Sequence, residues 1–101
     1  MPIYAVTYTY ADDSAAARDT HRPAHRAYLS TLSEQGINLV SGPFGADEPA
    51  GALLLLRAGS KDEVLALTEK DPFRVEGLVA RTDVAEWLPV LGPLADSFGT
   101  S

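Results

Sequence analysis

Four consecutive leucines, Leu53 to Leu56, constrain the fold of this chain more than any other feature of its sequence. Alternate side chains of a β-strand point to opposite faces of its sheet. The segment from Gly51 to Arg57 has the composition of a strand, so it places leucine on both faces. A sheet face that meets water normally carries polar residues at alternate positions. We therefore expect both faces of the sheet that contains this strand to be covered.

Hydrophobic periodicity and turn residues divide the chain into four strands and two helices. The predicted strands are residues 3–10, 37–41, 51–57 and 78–88, the predicted helices are 20–35 and 60–70, and a short helical turn follows at 72–76. This order, β-α-β-β-α-β, predicts a ferredoxin-like α+β fold with an antiparallel four-stranded sheet and both helices on one face. At 101 residues the chain is long enough for a single core. We expect one domain over residues 1–90 and a C-terminal tail over 91–101, extended and frayed at its tip.

The first helix has two possible starting points. Thr20 can cap a helix that carries Pro23 in its first turn, where a missing N–H costs little, and Gly36 supplies the stop. A start near Ser14 is the alternative, in which Pro23 would kink the helix. The second helix opens with a capping box at residues 60–63, Ser-Lys-Asp-Glu.

Two helices can cover only one face of the predicted sheet. The leucines on the second face need another partner, and for so short a chain we expect a second copy, giving a homodimer through the sheet face. The alternative is that the C-terminal tail folds back over that face.

The charge and cysteine content exclude several classes of partner. The formal net charge is −6, which argues against nucleic acid and against an anionic membrane surface. The chain has no cysteine, so it can form neither disulfides nor thiolate metal sites. It has neither a cationic, apolar leader nor an apolar run long enough to cross a bilayer, so we expect a cytoplasmic protein.

A basic island interrupts this acidic chain between Arg18 and Arg26. These nine residues contain three of the eight Lys+Arg residues and both histidines. At helical spacing His25 shares a stripe with Arg18, Arg22 and the core-facing Leu29. The pattern predicts a pocket for an anionic or enolisable ligand, with His25 placed to move a proton and Arg18 or Arg22 holding negative charge. The alternative is a buried histidine that is merely hydrogen-bonded, beside solvated arginines.

Asp71 is the candidate partner of that histidine. In this topology the start of the first helix and the end of the second can approach each other, and a carboxylate would fix the tautomer of His25. Asp71 before Pro72 is also a good N-cap for a short turn, and the two roles are compatible.

Motifs spread along the chain carry a family resemblance. They are Arg18 and Arg22 before His25-Arg26-Ala27-Tyr28-Leu29, then Ser41-Gly42-Pro43, Gly51, Asp71-Pro72-Phe73 and Trp87. Together they resemble the YciI-like (YCII-related) family of small dimeric α+β proteins. The resemblance implies a dimeric α+β barrel and an active site of one histidine and one aspartate, which fall here on His25 and Asp71. One relative resembles a dehydrochlorinase of a hydroxylated aromatic ring, and the fold resembles that of muconolactone isomerases.

The other candidate residues have weaker signals. His21 and His25 have a spacing that can clamp a metal, but flanking arginines oppose a dication and no cysteine is present, so we expect no metal and no other cofactor. Ser41 lacks a nucleophile elbow and is expected at most to donate a hydrogen bond to the ligand. Tyr8 is expected either in the core or at the pocket mouth, against the ligand.

Two functions remain open from the sequence. The first is a small cofactor-free enzyme, lyase- or isomerase-like, that uses His25 and Asp71 on a small anionic or hydroxylated aromatic compound. The second is a non-catalytic module that binds a small ligand in the same pocket.

Overall fold

The computed structural model describes residues 1–98 and contains, within that range, four strands, three α-helices and one short 3-10 helix. The strands are β1 (Ile3–Tyr10), β2 (Asn38–Pro43), β3 (Gly51–Arg57) and β4 (Val79–Trp87). The helices are α1 (Ala15–Glu34), α2 (Lys61–Glu69) and α3 (Pro72–Val75), and the 3-10 helix is Ala95–Phe98. This arrangement confirms the predicted ferredoxin-like α+β fold.

The sheet is antiparallel throughout, in the order β2-β3-β1-β4. Register places Val6 opposite Leu54 and Tyr8 opposite Ala52, so these alternate residues share one face, here called the inner face. The inner face packs against the helices, and the cluster that results includes Leu29 and Val64. The core of the protein therefore lies between the inner face and the helical layer.

The opposite, outer face carries the other residues of the leucine run. Leu54 and Leu56 point inward and are each 1% exposed, whereas Leu53 on the outer face is 38% exposed and Leu55 is 8% exposed. The leucine run thus divides between the faces, as predicted, but much of the outer face remains open in the single chain.

The C-terminal segment covers one end of the outer face. The ring of Phe98 packs edge-on against Trp87 at 5.6 Å, and its carbonyl oxygen accepts a hydrogen bond from the Arg57 guanidinium. Ile3, which lies between Trp87 and Arg57 in register, is fully buried. The tail is therefore not extended at Ala95–Phe98, which forms a 3-10 helix where this strand end offers Phe98 a partner. The predicted frayed tip falls on residues 99–101, outside the described range.

Helix α1 begins at Ala15, so the prediction of a start at Thr20 is wrong. Ser14 is the N-cap residue, and its backbone carbonyl accepts from Arg18 N at 2.8 Å. Its hydroxyl donates to Ala11 O at 2.6 Å and does not cap the helix. Three alanines at the start favour helix strongly enough for it to continue through Pro23.

The other predicted helix ends agree with the structure. The Ser60 hydroxyl accepts from Glu63 N at 3.1 Å and caps α2. Gly36 has φ 76° and ends α1 in a Schellman motif, in which Ile37 N donates to Leu32 O at 2.8 Å. The chain is thereby turned from α1 directly into β2.

Candidate active site

A cavity of about 390 Å³ opens between helix α1 and the inner face of the β2–β3 edge. Its walls come from α1, β1, β2, β3 and α3. They are formed by Tyr10, Arg18, Arg22, His25, Arg26, Leu29, Ser30, Ser33, Asn38, Ser41, Gly42, Pro43, Ala52, Leu54 and Phe73. Five elements therefore converge on one pocket that contains most of the basic island.

His25 and Asp71 form a direct pair at the base of this pocket. His25 Nδ1 lies 2.7 Å from Asp71 Oδ1, so the predicted proximity of the two side chains is observed. Asp71 is fully buried and His25 is 9% exposed. Asp71 Oδ1 also accepts from Phe73 N at 3.0 Å, which caps α3. The cap and the histidine contact are thus made by one carboxylate oxygen.

This contact fixes the tautomer of the imidazole. A carboxylate only accepts hydrogen bonds, so His25 Nδ1 carries the hydrogen that it donates to Asp71. His25 Nε2 makes no hydrogen bond within residues 1–98 and is not among their fully buried polar atoms. A neutral His25 therefore keeps a free lone pair at Nε2 beside the cavity.

Phe73 holds the imidazole ring in place. The two rings stack in parallel, with centroids 3.9 Å apart and an interplanar angle of 2°. The Tyr10 ring packs against Phe73 in a T-shaped geometry, with the ring centroids 5.8 Å apart. Because Phe73 belongs to the short helix that Asp71 caps, one turn of chain supplies both the carboxylate that pairs with His25 and the ring that orients it.

Three arginines of α1 line the cavity, and each has different interaction partners. The Arg18 guanidinium lies 4.3 Å from the centroid of the Tyr10 ring, and its Nε donates to the Ser14 hydroxyl at 3.0 Å. Arg22 Nη1 is paired with Asp19 Oδ1 at 2.5 Å, which offsets part of its charge. Arg26 pairs with no carboxylate within residues 1–98. Arg18 and Arg26 are therefore the cations best placed to meet an anion.

Ser41 lies at the β2 wall of the cavity, and Asn38 fixes it there. Asn38 Nδ2 donates to both Ser41 Oγ and Ser33 Oγ at 3.1 Å. The Ser41 hydroxyl hydrogen has no acceptor within residues 1–98. Asn38 Oδ1 is buried without a partner in the same range. This wall therefore offers an uncharged hydroxyl donor to a ligand.

Tyr8 is not placed at the mouth of the cavity. It is 1% exposed and lies behind Asp71, where its hydroxyl donates to Asp71 Oδ2 at 2.9 Å. Burial, followed by the negative charge and hydrogen bond of Asp71, raises the pKa of Tyr8 far above its usual value. The ligand-binding interpretation of Tyr8 is corrected: a hydroxyl that faces Asp71 from the core cannot touch a ligand in the cavity. Tyr10, two residues along β1, supplies the tyrosine wall instead.

The two histidines do not converge on a common point in the described part of the chain. His21 Nε2 lies 3.7 Å from Glu76 Oε1, whereas His25 turns towards Asp71. Within residues 1–98 no group of three or more histidine, aspartate or glutamate side chains is arranged to hold a metal ion. None of the helices described there is both long and apolar enough to span a bilayer.

Sequence reasoning missed Arg26, Asn38 and Phe73 as site residues. Arg26 follows Arg22 by four residues, so the helical stripe contained its signal. Phe73 stood in the Asp71-Pro72-Phe73 motif as the first apolar residue after a cap. Asn38 carried no signal, because its role depends on how α1 meets β2.

The model of the YCII-related domain family matches residues 3–88. A solved structure of 5-chloro-2-hydroxyhydroquinone dehydrochlorinase (TftG) from Burkholderia phenoliruptrix AC1100, in complex with 2,5-dihydroxybenzoquinone, is 33% identical to this chain. The match has a TM-score of 0.73 and covers 84% of this chain and 92% of that chain.

More distant structures share the fold alone. Rv0793 from Mycobacterium tuberculosis has a TM-score of 0.54 at 13% identity, covering 92% of this chain and 99% of that chain. PA3566 from Pseudomonas aeruginosa has a TM-score of 0.53 at 13% identity, covering 85% of this chain and 91% of that chain. No curated protein matches the chain.

Proposed function

The chain belongs to the YCII-related domain family, and we propose that it is a small cofactor-free enzyme in which His25 moves a proton on a small anionic or hydroxylated aromatic compound. The observation that carries the proposal is the 2.7 Å contact between His25 Nδ1 and a fully buried Asp71, at the base of an arginine-lined cavity. A buried carboxylate behind a histidine stabilises the imidazolium that forms when the ring takes up a proton.

The chemistry proposed is lyase- or isomerase-like. His25 Nε2 takes a proton from a hydroxyl group or an acidic C–H bond of the ligand, and the electron pair left behind forms a new double bond. In an elimination the leaving group departs with its own bonding pair, and in an isomerisation His25 returns the proton to another atom of the ligand. Arg18 or Arg22 stabilises the negative charge that develops, and Arg26 is proposed to share this role.

The shape and polarity of the cavity support a planar, oxygen-bearing ligand. A wall of aromatic and apolar side chains, among them Tyr10, Leu29 and Phe73, suits the faces of a ring. The Ser41 hydroxyl is proposed to donate to one ring oxygen while the arginines hold an ionised oxygen. The solved dehydrochlorinase structure that is 33% identical to this chain contains 2,5-dihydroxybenzoquinone, a planar ring that bears oxygen atoms.

A panel of small compounds tests the proposal. Thermal shift with 2,5-dihydroxybenzoquinone, simple phenols and simple carboxylates should show stabilisation by the dihydroxyquinone in the wild type and its loss in the Arg18→Ala variant. Chloride release from 5-chloro-2-hydroxyhydroquinone, followed with wild type and His25→Ala, then separates an enzyme from a binding module. Binding that depends on Arg18, without turnover that depends on His25, would favour the binding module. The absence of binding by every compound would contradict both functions.

Elemental analysis tests the expectation that no metal takes part. His21 is engaged by Glu76 and His25 Nδ1 by Asp71, so we predict no stoichiometric zinc, iron or copper in the purified protein. One equivalent of metal bound through His21 and His25 would overturn the acid–base role given to His25.

A further inference from the structure

The Asp71 carboxylate is surrounded by donors from three elements of the fold. Oδ1 accepts from His25 Nδ1 on α1 and from Phe73 N on α3, and Oδ2 accepts from the Tyr8 hydroxyl on β1 at 2.9 Å. Asp71 is completely buried, so these contacts replace the water that would otherwise solvate its charge. Two of the three donors have evident roles, one as the proposed base and one as the cap of α3. The Tyr8 hydroxyl is left without one.

Tyr8 is poorly explained as an ordinary core residue. It is 1% exposed and sits in the middle of the central strand, where phenylalanine would fill nearly the same space without a polar atom to satisfy. Its hydroxyl instead points at the single buried carboxylate among residues 1–98. Tyr4 lies on the same face of the same strand but makes no side-chain hydrogen bond in the described chain, so the contact is specific to position 8.

We propose that Tyr8 is a positioning residue that holds Asp71 as an unprotonated carboxylate and thereby sets the proton affinity of His25. The proposal rests on the proposed function, in which His25 is the base. A donor on Oδ2 withdraws negative charge from the carboxylate, so Asp71 attracts the protonated imidazole less strongly than it would alone. A carboxylate that already accepts hydrogen bonds from Phe73 N and the Tyr8 hydroxyl is also a poor acceptor for the proton of His25. The proton that His25 gains from the ligand therefore leaves through Nε2.

Arg18, Arg22 and Arg26 of α1 line the same cavity as His25, and further titratable groups lie near Asp71. Tyr28 of α1 and Tyr10 of β1 lie close enough for the charge of Asp71 to help raise the pKa of each, after burial as the larger cause. Arg74 of α3 opposes the rise in the pKa of Tyr8. The raised pKa of Tyr8 keeps its hydroxyl protonated, which is the state that the donor role requires.

The experiment is an NMR titration of His25 in the ligand-free protein, with the pKa of its imidazole as the readout. His25 and His21 are told apart with a His21→Gln variant. In Tyr8→Phe the donor to Oδ2 is lost, and we expect the pKa of His25 to rise by about 0.5 to 1 unit, because the imidazolium then compensates more of the Asp71 charge. Tyr4→Phe is the matched control, with the same substitution on the same strand and face, and should leave the titration of His25 unchanged.

A second measurement does not depend on the folding of the variant. Protein with 3-fluorotyrosine incorporated at position 8 alone has a more acidic phenol there, hence a stronger donor, and should show the opposite sign, a lower pKa of His25. An unchanged titration in folded Tyr8→Phe, or in the fluorotyrosine protein if Tyr8→Phe does not fold, would overturn the proposal and leave Tyr8 a packing residue. Failure of the wild type to bind any compound of the panel (2,5-dihydroxybenzoquinone, phenols and carboxylates) would instead contradict the proposed function, whatever the titration shows.

Discussion

The two faces of the sheet differ in what they bury and in how completely they are covered. The inner face buries charge, since Asp71 is inaccessible and His25 is 9% exposed, and both Asp71 oxygens are matched by donors. The outer face carries an open apolar patch, in which Leu53 is 38% exposed and Val40 is 52% exposed. A buried charge is costly unless its atoms have hydrogen-bond partners, and these partners fix the positions of its neighbours. An apolar surface makes no such demand and can be covered by the tail or by another chain.

We expect substitution of the buried carboxylate to cause the largest loss of stability. Asp71→Ala removes the cap of α3 and leaves Tyr8 and His25 without an acceptor, so we expect the free energy of unfolding to fall by about 3–5 kcal/mol. Asp83→Ala is the control, because Asp83 is an exposed outer-face residue paired with Arg81 at 2.9 Å. It should change the free energy of unfolding by less than about 0.5 kcal/mol. Similar losses in urea denaturation of the two variants would remove the distinction between the faces.

The second largest effect is expected at His25, which both lines the cavity and belongs to the buried core. His25 lines the cavity, yet it stacks on Phe73 and is the partner of a buried charge. We expect His25→Ala to lower the free energy of unfolding by about 2–4 kcal/mol and to abolish turnover. His21→Ala, which removes a half-exposed histidine, should cost well under about 1 kcal/mol and leave turnover intact. Chemical denaturation and the chloride-release assay on both variants check this; full turnover by His25→Ala would identify a structural histidine.

The sequence predicted the inner face better than the outer one. The order of elements along the chain, the His25 stripe and the cap at Asp71 follow from local periodicity and turn chemistry, which act within a few residues. Contacts between distant elements were predicted where the topology dictates them, as for His25 and Asp71. Contacts that depend on packing angles were missed. These are the hydrogen bonds from Asn38 to Ser41 and from Tyr8 to Asp71. Local propensity also misled at α1, where Pro23 suggested a late start that three preceding alanines overcame.

A third prediction tests what covers the outer face. We propose that the open part of this face pairs with a second copy, because Leu53, Val40 and Phe44 remain between 38% and 52% exposed after the tail has covered the end near Ile3. Leu53→Glu should weaken the dimer by about a hundredfold, roughly 2–3 kcal/mol, since a carboxylate would be buried without a partner. Val75→Glu, an exposed site in the helical layer, is the control. Sedimentation across micromolar concentrations measures both. A monomeric wild type would leave the tail as the sole cover.

The smallest effect is a dependence of the free energy of unfolding on pH, caused by Tyr8 on the inner face. The pKa of Tyr8 is raised in the folded protein, first by burial and then by Asp71, whereas a tyrosine in the unfolded chain titrates near pH 10. Above about pH 10 the unfolded chain therefore holds fewer protons than the folded one, and the free energy of unfolding must fall as the pH rises. Tyr8 should contribute a fall of about 1 kcal/mol between pH 10 and pH 11, with very little lost below about pH 9.

The Tyr8→Phe variant isolates this contribution. It should show a shallower alkaline fall in the free energy of unfolding than the wild type, measured by urea denaturation at a series of pH values. Some fall should persist, because burial also raises the pKa of Tyr10 and Tyr28. Tyr4→Phe retains Tyr8 and should retain the steep part of the curve. Parallel curves for wild type and Tyr8→Phe would mean that the Tyr8 hydroxyl ionises as readily in the folded protein as in the unfolded chain. Its hydrogen bond to Asp71 would then not be the constraint that sets the inner face apart from the outer one.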